Sequence, residues 1–263
     1  METDAVLELV QRVAAEVIDP RFRALDDAEV HLKGPGDLVT EADREAEVLL
    51  TQALQEAYPD ALVVGEEAVS ADATILDAFR TAEHAFTVDP VDGTKNFVHG
   101  KADHAVMLAE LRGGEVVRSW IWQPQHRTAY VAERGAGAFR NGERLERPPV
   151  RDELRGVTSR RSWIGRALGT LRELELTWVC CGVDYPRLTE GAADYAIYLK
   201  TKPWDHAPGS LLLTEAGGVI GTFDGGPYRP QQKAPRGLVV AADRATYDLV
   251  RGLVPTLPGV DRG

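Results

Sequence analysis

The stretch Asp89-Pro90-Val91-Asp92-Gly93-Thr94-Lys95-Asn96-Phe97 constrains this chain more than any other. It reads as a strand end, a tight turn and a helix start. The largely apolar run Ala85 to Val88 brings Asp89 to the end of a buried strand. Pro90 holds Asp89 extended, so the chain turns only after that carboxylate is placed. Gly93 lets the backbone approach a ligand closely. Carboxylates at a strand-to-helix turn are hard ligands for Mg²⁺. The N–H groups of Gly93 and Thr94, at a helix N-terminus, suit phosphate. The stretch therefore predicts metal-assisted chemistry on a phosphate ester.

The rest of the chain supplies a frame. Val6, Val10, Val13, Ala14, Val17 and Ile18 recur at helical spacing, and Pro20 follows them. Thr40 is a cap for a helix over 41–57 with Ala42, Ala46, Leu49, Leu50, Ala53 and Leu54 inward. Between them, Lys33-Gly34-Pro35-Gly36-Asp37 reads as a turn and a candidate lid. A strand over 61–64 ends at Gly65-Glu66-Glu67, and 72–80 reads as a helix. Segments 104–111 and 116–122 predict a hairpin, followed by strands 128–133 and 137–140 and a turn at Asn141-Gly142. The polar, proline-bearing segment 146–155 divides the chain into halves, 1–145 and 146–263, of one compact unit. The second half predicts strand 156–159, helix 163–172, strand 175–182, an apolar segment 193–199, helix 206–216 ending at Gly217-Gly218, strand 238–242 and helix 245–253.

A chain of 263 residues can bury a sizeable core. Its formal charge of −11 argues against direct nucleic-acid contact. An acidic protein that handles phosphate needs local cations, which bound metal supplies. Cys180 and Cys181 are adjacent, so they form no ordinary disulfide and predict buried, reduced thiols of a cytoplasmic protein. No apolar run approaches the about 20 residues of a membrane span.

Glu66, the pair Asp89 and Asp92, and Asp205 all sit at element ends where side chains converge, with Asp43 on the face beside them. Glu41, Glu45, Glu47 and Glu56 read instead as solvated helix surface. His206 predicts packing rather than metal ligation, because hard Mg²⁺ sites prefer oxygen. Trp204 reads as a core residue that fixes Asp205.

Taken together, Gly65-Glu66-Glu67, Asp89 to Phe97 and Trp204-Asp205-His206-Ala207 resemble the inositol monophosphatase family of Mg²⁺-dependent phosphatases. Asp37 to Asp43 and Thr214-Glu215-Ala216-Gly217-Gly218 support the resemblance, which spans almost the whole chain. It implies an α+β, layered αβαβα sandwich of the inositol monophosphatase and fructose-1,6-bisphosphatase type, in a homodimer. It also implies that Glu66, Asp89 and the Val91 carbonyl hold one Mg²⁺, and that Asp89, Asp92 and Asp205 hold a second. A third, weaker ion would sit by Glu66. Glu66, Thr94 and Asp43 would be catalytic, with Thr94 oriented by Asp43. Asp92, Gly93 and Thr94 would meet the substrate, and Lys33 matches a lid lysine. Inhibition by Li⁺ follows as a family trait.

The pattern departs where the substrate is read. Inositol-acting members place glutamate seven residues before the last metal-binding aspartate, and this chain has Tyr198 there. Tyrosine donates a hydrogen bond but is no carboxylate. Asp184-Tyr185-Pro186-Arg187 is also unlike the inositol-specific pattern, and Arg187 is a candidate for a second anionic group. Lys95 replaces a small residue, as in relatives acting on histidinol phosphate and nucleotide 3′-phosphates. An inositol 1-phosphate-like ester leads. Histidinol phosphate, fructose 1,6-bisphosphate and a nucleotide 3′-phosphate stay open. A partner-binding role in RNA metabolism is the reading from another class.

Overall fold

The longer strands pair into two sheets whose central strands are buried on both faces. The computed structural model describes residues 1–34, 37–232, 234 and 236–260. A two-stranded hairpin, β1 (Val30–Gly34) with β2 (Asp37–Thr40), precedes the sheets. Its tip, Pro35 and Gly36, where the candidate lid was expected, lies outside the described residues. The first sheet holds β3 (Leu62–Gly65), β4 (His84–Asp92), β5 (Ala105–Arg112), β6 (Glu115–Gln123), β7 (Thr128–Glu133), β8 (Gly137–Arg140) and β9 (Glu143–Arg144), in that spatial order. Only β3 and β4 run parallel. The second sheet comprises β10 (Gly156–Thr158), β11 (Glu175–Leu176), β12 (Tyr195–Tyr198), β13 (Val219–Thr222) and β14 (Leu238–Ala241), ordered β11-β10-β12-β14-β13.

Helices fill the layers around and between the sheets. Helix α1 (Thr3–Val13) and α2 (Glu41–Ala57) cover one face of the first sheet, where Val106 and Leu108 of β5 join their core. Thr40 caps α2 in a reciprocal capping box with Asp43, which satisfies the exposed amides of the first turn. Two short helices follow β3: α3 (Glu66–Ala71) and α4 (Ile75–Phe79). Helix α5 (Thr94–Val98) follows β4 directly. Helices α6 (Cys181–Thr189) and α7 (Pro203–Glu215) form the middle layer. Ala105, Met107 and Ala109 of β5 pack toward α7 from one sheet, and Ala196, Tyr198, Leu238 and Val240 pack into this layer from the other. Their neighbours Tyr195, Ile197, Val239 and Ala241 point oppositely, to α8 (Arg244–Leu253). The order is helix, sheet, helix, sheet, helix, as the sequence implied.

Three expectations need correction. No helix spans 163–172. A 3₁₀ turn, Arg161–Trp163, is followed by a loop that folds back through an Ala167–Glu173 bridge. Gly165 and Gly169 take positive φ, 74° and 58°, which no right-handed helix accommodates. The strand expected over 175–182 pairs only at Glu175 and Leu176, and α6 begins at Cys181. Pro186 concealed that helix, because an internal proline leaves the i−4 carbonyl unpaired. That carbonyl, Gly182 O, is instead met by Gln123 Nε2 at 2.7 Å. Helix α7 starts at Pro203 rather than 206, which puts Asp205 inside its first turn.

Candidate active site

The conspicuous β4 sequence makes an irregular strand end. Asp89 pairs with Met107 and Asp92 with Ala105, so the register shifts between the two carboxylates. Pro90 occupies that shift, where the absent N–H costs no ladder bond. Gly93 then turns the chain at φ 81°. A Cβ there would sit 3.0 Å from Cys180 Cβ and 3.1 Å from the Asp103 carbonyl, so both conformation and space require glycine.

Glu66 opens α3, Asp89 ends the regular part of β4, and Asp205 lies in the first turn of α7. One carboxylate oxygen from each lies within 4.8 Å of the others. Asp89 is 2 % exposed, and its Oδ1 is buried without a hydrogen-bond partner. Burial raises the Asp89 pKa well above the usual carboxylate range, and the charges of Glu66, Asp92, Asp205 and Asp43 add to the rise. Asp205 is raised by burial, then by Glu66 and Asp92, against the opposing effect of Lys202 and Lys200. Such a set is poorly stable alone and fits a divalent cation, which supplies the missing charge and a partner for Asp89 Oδ1.

Asp92 stands beside the three. Its Oδ2 accepts from Gly182 N at 2.6 Å and from the Cys180 thiol at 2.9 Å. Burial pushes its pKa up to about 6, although those two donors favour the charged form. Thr94 Oγ1 lies 3.0 Å from the Val91 carbonyl and 3.2 Å from Asp43 Oδ1. Asp43 Oδ2 accepts from the Thr40 amide at 2.8 Å and hydroxyl at 2.5 Å. Burial pushes Asp43 up to about 7. Lys33 bridges Glu66 at 2.9 Å and Glu67 at 2.7 Å. Burial opposes its charge, but the two glutamates outweigh that and raise its pKa.

Glu66, Asp89, Val91, Asp92, Thr94 and Asp205 line a cleft of about 290 Å³ that also contains Gly93, Lys95, Arg161, Cys180, Cys181, Asp184, Tyr198 and Lys200. A family model described as the inositol monophosphatase family matches residues 2–257. The chain belongs to the inositol monophosphatase family. It is 32% identical over 258 residues to the inositol-1-monophosphatase of Mesorhizobium japonicum, covering 92% of this chain and 93% of that one. It is 30% identical to the Nus factor SuhB of Pseudomonas aeruginosa, covering 94% of each. Among solved structures, the Thermotoga maritima IMPase superposes with a TM-score of 0.81 at 26% identity, covering 96% of each chain. The inositol monophosphatase family is a family of phosphatases, so the chain falls in the hydrolase class expected from its sequence. Among the described residues, no helix is long and apolar enough to cross a membrane.

The structure thus gathers Glu66, Asp89, Val91, Asp92, Gly93, Thr94, Tyr198 and Asp205 at one cleft, with Asp43 behind Thr94. Arg187 is not brought there. It is exposed in a separate pocket with Gln123, Tyr130, Arg140 and Glu190. His206 is buried against Tyr185 OH and the Lys200 carbonyl, and burial lowers its pKa to about 4. Trp204 is buried beside Asp205.

Glu47 is not solvated surface. It is 5 % exposed and accepts the Glu67 and Ala68 amides, each at 2.7 Å, which fixes the turn carrying Glu66. Its carboxylate fills the space that a Cβ on Gly65 would need, and that glycine was the available signal. Cys180 and Cys181 are cleft walls as well as thiols. Asp92 and Cys180 lie 88 residues apart, so no local pattern announced their contact.

Proposed function

We propose that this protein hydrolyses a small-molecule phosphate monoester in a Mg²⁺-dependent reaction, with a phosphorylated polyol of the inositol 1-phosphate kind as substrate. The observation that carries this reading is the orphaned Oδ1 of Asp89, buried beside Glu66 and Asp205 in an open cleft. Glu66, Asp89, Asp205, Asp92 and the Val91 carbonyl are the groups that would hold two or three Mg²⁺ ions. Bound Mg²⁺ supplies Lewis-acid polarisation of the phosphoryl group and neutralises its charge. Thr94, donating its hydroxyl hydrogen to Asp43, keeps an oxygen lone pair for the attacking water and aligns it. Asp43 anchors Thr94 through its own bonds to Thr40. Glu66 assists at the same water. The amides of Gly93 and Thr94 lie at the turn where phosphate oxygens would bind.

The name inositol-1-monophosphatase, carried by the Mesorhizobium japonicum relative, supports the polyol phosphate. A Thermotoga maritima relative, 29% identical over 195 residues, is named fructose-1,6-bisphosphatase/inositol-1-monophosphatase, which keeps fructose 1,6-bisphosphate in the class. Histidinol phosphate and a nucleotide 3′-phosphate complete the panel. Phosphate release from these esters, with Mg²⁺ and with EDTA, tests the reading. Mg²⁺-dependent turnover is expected, with inhibition by millimolar Li⁺. Folded protein that releases no phosphate from any of them would contradict it.

The similarity to Nus factor SuhB supports a second reading, a protein-partner role in RNA metabolism. A pull-down that needs the fold but tolerates Asp89→Asn would favour it. A cytoplasmic homodimer is part of the first reading, and sedimentation of the purified protein tests the dimer.

A further inference from the structure

Among the described residues, the non-glycine positions with a left-handed backbone are Arg23, Arg127, Asn141 and Val179, at φ 60°, 48°, 48° and 62°. Asparagine enters this region readily, and unbranched arginine with modest strain. A β-branched side chain crowds its own backbone there, so Val179 is the outlier. Arg23, Arg127 and Asn141 are exposed, and none of them lines the substrate cleft. Val179 does line it, and is 36 % exposed.

The chain on either side of Val179 explains how the strain persists. Trp178 N donates to Asp184 Oδ1 at 2.8 Å, and the Trp178 carbonyl accepts from Asn96 Nδ2 at 3.1 Å. Beyond Val179, the Cys180 thiol and Gly182 N donate to Asp92 Oδ2 at 2.9 Å and 2.6 Å. Val179 N donates to Thr177 Oγ1 at 3.2 Å. Val179 is thus held between two anchored stretches, which over-determine its conformation. Glycine would make the same turn without strain. The anchors account for the backbone, then, but not for the side chain. An isopropyl group is kept, against its own conformational preference, on the wall of the cleft where the substrate would bind.

We propose that Val179 is a specificity-determining residue, and that its isopropyl group packs against the C–H face of a ring in the leaving alcohol. The proposal rests on the phosphomonoesterase reading and narrows it to esters of cyclic polyols. Leu38 and Leu176, both partly exposed, line the same cleft and add apolar surface to it. A saturated ring with mainly equatorial hydroxyls turns its axial C–H bonds to its faces, so it offers an apolar patch. An open-chain polyol carries a hydroxyl on every carbon and rotates about every bond. It offers no such patch and loses more freedom on binding. A hydroxyl pressed against Val179 would lose water without gaining a partner.

The test compares myo-inositol 1-phosphate with sorbitol 6-phosphate, which match in carbon count and free hydroxyls and differ in ring closure. Turnover is measured with Mg²⁺, binding by calorimetry with Ca²⁺, and melting temperature without ligand, for wild type, Val179→Gly and Val179→Thr. Wild type is expected to favour the ring by about 10-fold in kcat/KM and Kd. Val179→Gly should bring that ratio close to one and raise the melting temperature by about 2–4 °C, because the strain is relieved. Val179→Thr keeps the β-branch and the strain, so it should melt no higher than wild type while the ratio falls several-fold. A purely structural role, holding Cys180 and Gly182 on Asp92, would change both esters alike and leave the ratio where it is. The proposal is overturned by equal wild-type affinities for the two esters, by a ring preference that survives in Val179→Gly, by a Val179→Gly protein no more stable than wild type, or by no detectable binding of either ester. A ring preference seen in binding without phosphate release would instead contradict the phosphomonoesterase reading alone.

Discussion

Thr94 Oγ1 lies 3.2 Å from Asp43 Oδ1, a contact between residues 51 positions apart that joins the start of α5 to the first turn of α2. It places a hydroxyl at the mouth of the carboxylate cluster with a buried acceptor behind it. Thr94→Val removes the hydroxyl at nearly constant shape. We expect kcat to fall by about 10²-fold or more with little change in KM, because a water-aligning group acts in the transition state. Thr94→Ser should keep much of the activity. Steady-state phosphate release distinguishes these outcomes, and a Thr94→Val enzyme of near wild-type kcat would remove Thr94 from the chemistry.

Gly93→Ala tests the turn. Its φ of 81° and the 3.0 Å approach to Cys180 Cβ leave no room for a methyl group. A strained φ of this kind costs on the order of 1–3 kcal/mol. Urea denaturation should show a loss of this size, together with weaker activity as Asp92 and Thr94 move. An unchanged midpoint would mean that the turn relaxes freely.

Glu47→Gln tests the support behind Glu66. The substitution puts an amide donor against the Glu67 or Ala68 amide, so one 2.7 Å bond is lost. A buried donor left without a partner costs about 1–3 kcal/mol. The melting temperature should fall, and the Mg²⁺ concentration for half-maximal activity should rise several-fold. A variant with wild-type Mg²⁺ dependence would make Glu47 a cap for α3 and nothing more.

The carboxyl of Asp184 sets a pH dependence. Its folded pKa, about 8, lies above the ordinary value of 3.8, so the native state holds a proton that the unfolded state has released. Its contribution to stability is therefore greatest at low pH and is lost as pH rises from about 4 to about 8. Asp184→Asn lacks this term. The difference in melting temperature, variant minus wild type, should grow in favour of the variant across that range, without ligand. A constant difference would show that Asp184 has an ordinary pKa.

Much of this was legible in the sequence, and the reasons are local. Thr40 announced the start of α2, because an N-cap is written beside the helix it begins. The apolar run within 104–111 announced a hairpin strand, and its side chains alternate between two cores, Val106 and Leu108 to one and Ala105, Met107 and Ala109 to the other. Asp89, Asp92 and Asp205 stood out because each lies at an element end. Helix α6 stayed hidden because its Pro186 is tolerated only through Gln123, which lies 59 residues away from Gly182. Glu47 read as an ordinary acid, since its burial against the turn at Gly65 is not encoded near it. Arg187 matched a motif neighbourhood, yet the helical phase of α6 sends Asp184 to the cleft and Arg187 to a different pocket.

The most direct measurement is phosphate release by wild type and Asp89→Asn at saturating Mg²⁺, alongside the melting temperature of each with and without the metal. The account predicts that Asp89→Asn loses activity by orders of magnitude. It also predicts that the variant melts higher than wild type without metal, because a buried, mutually repelling carboxylate is gone, and that it gains little from Mg²⁺. A folded Asp89→Asn protein with near wild-type turnover and a wild-type response to Mg²⁺ would contradict it.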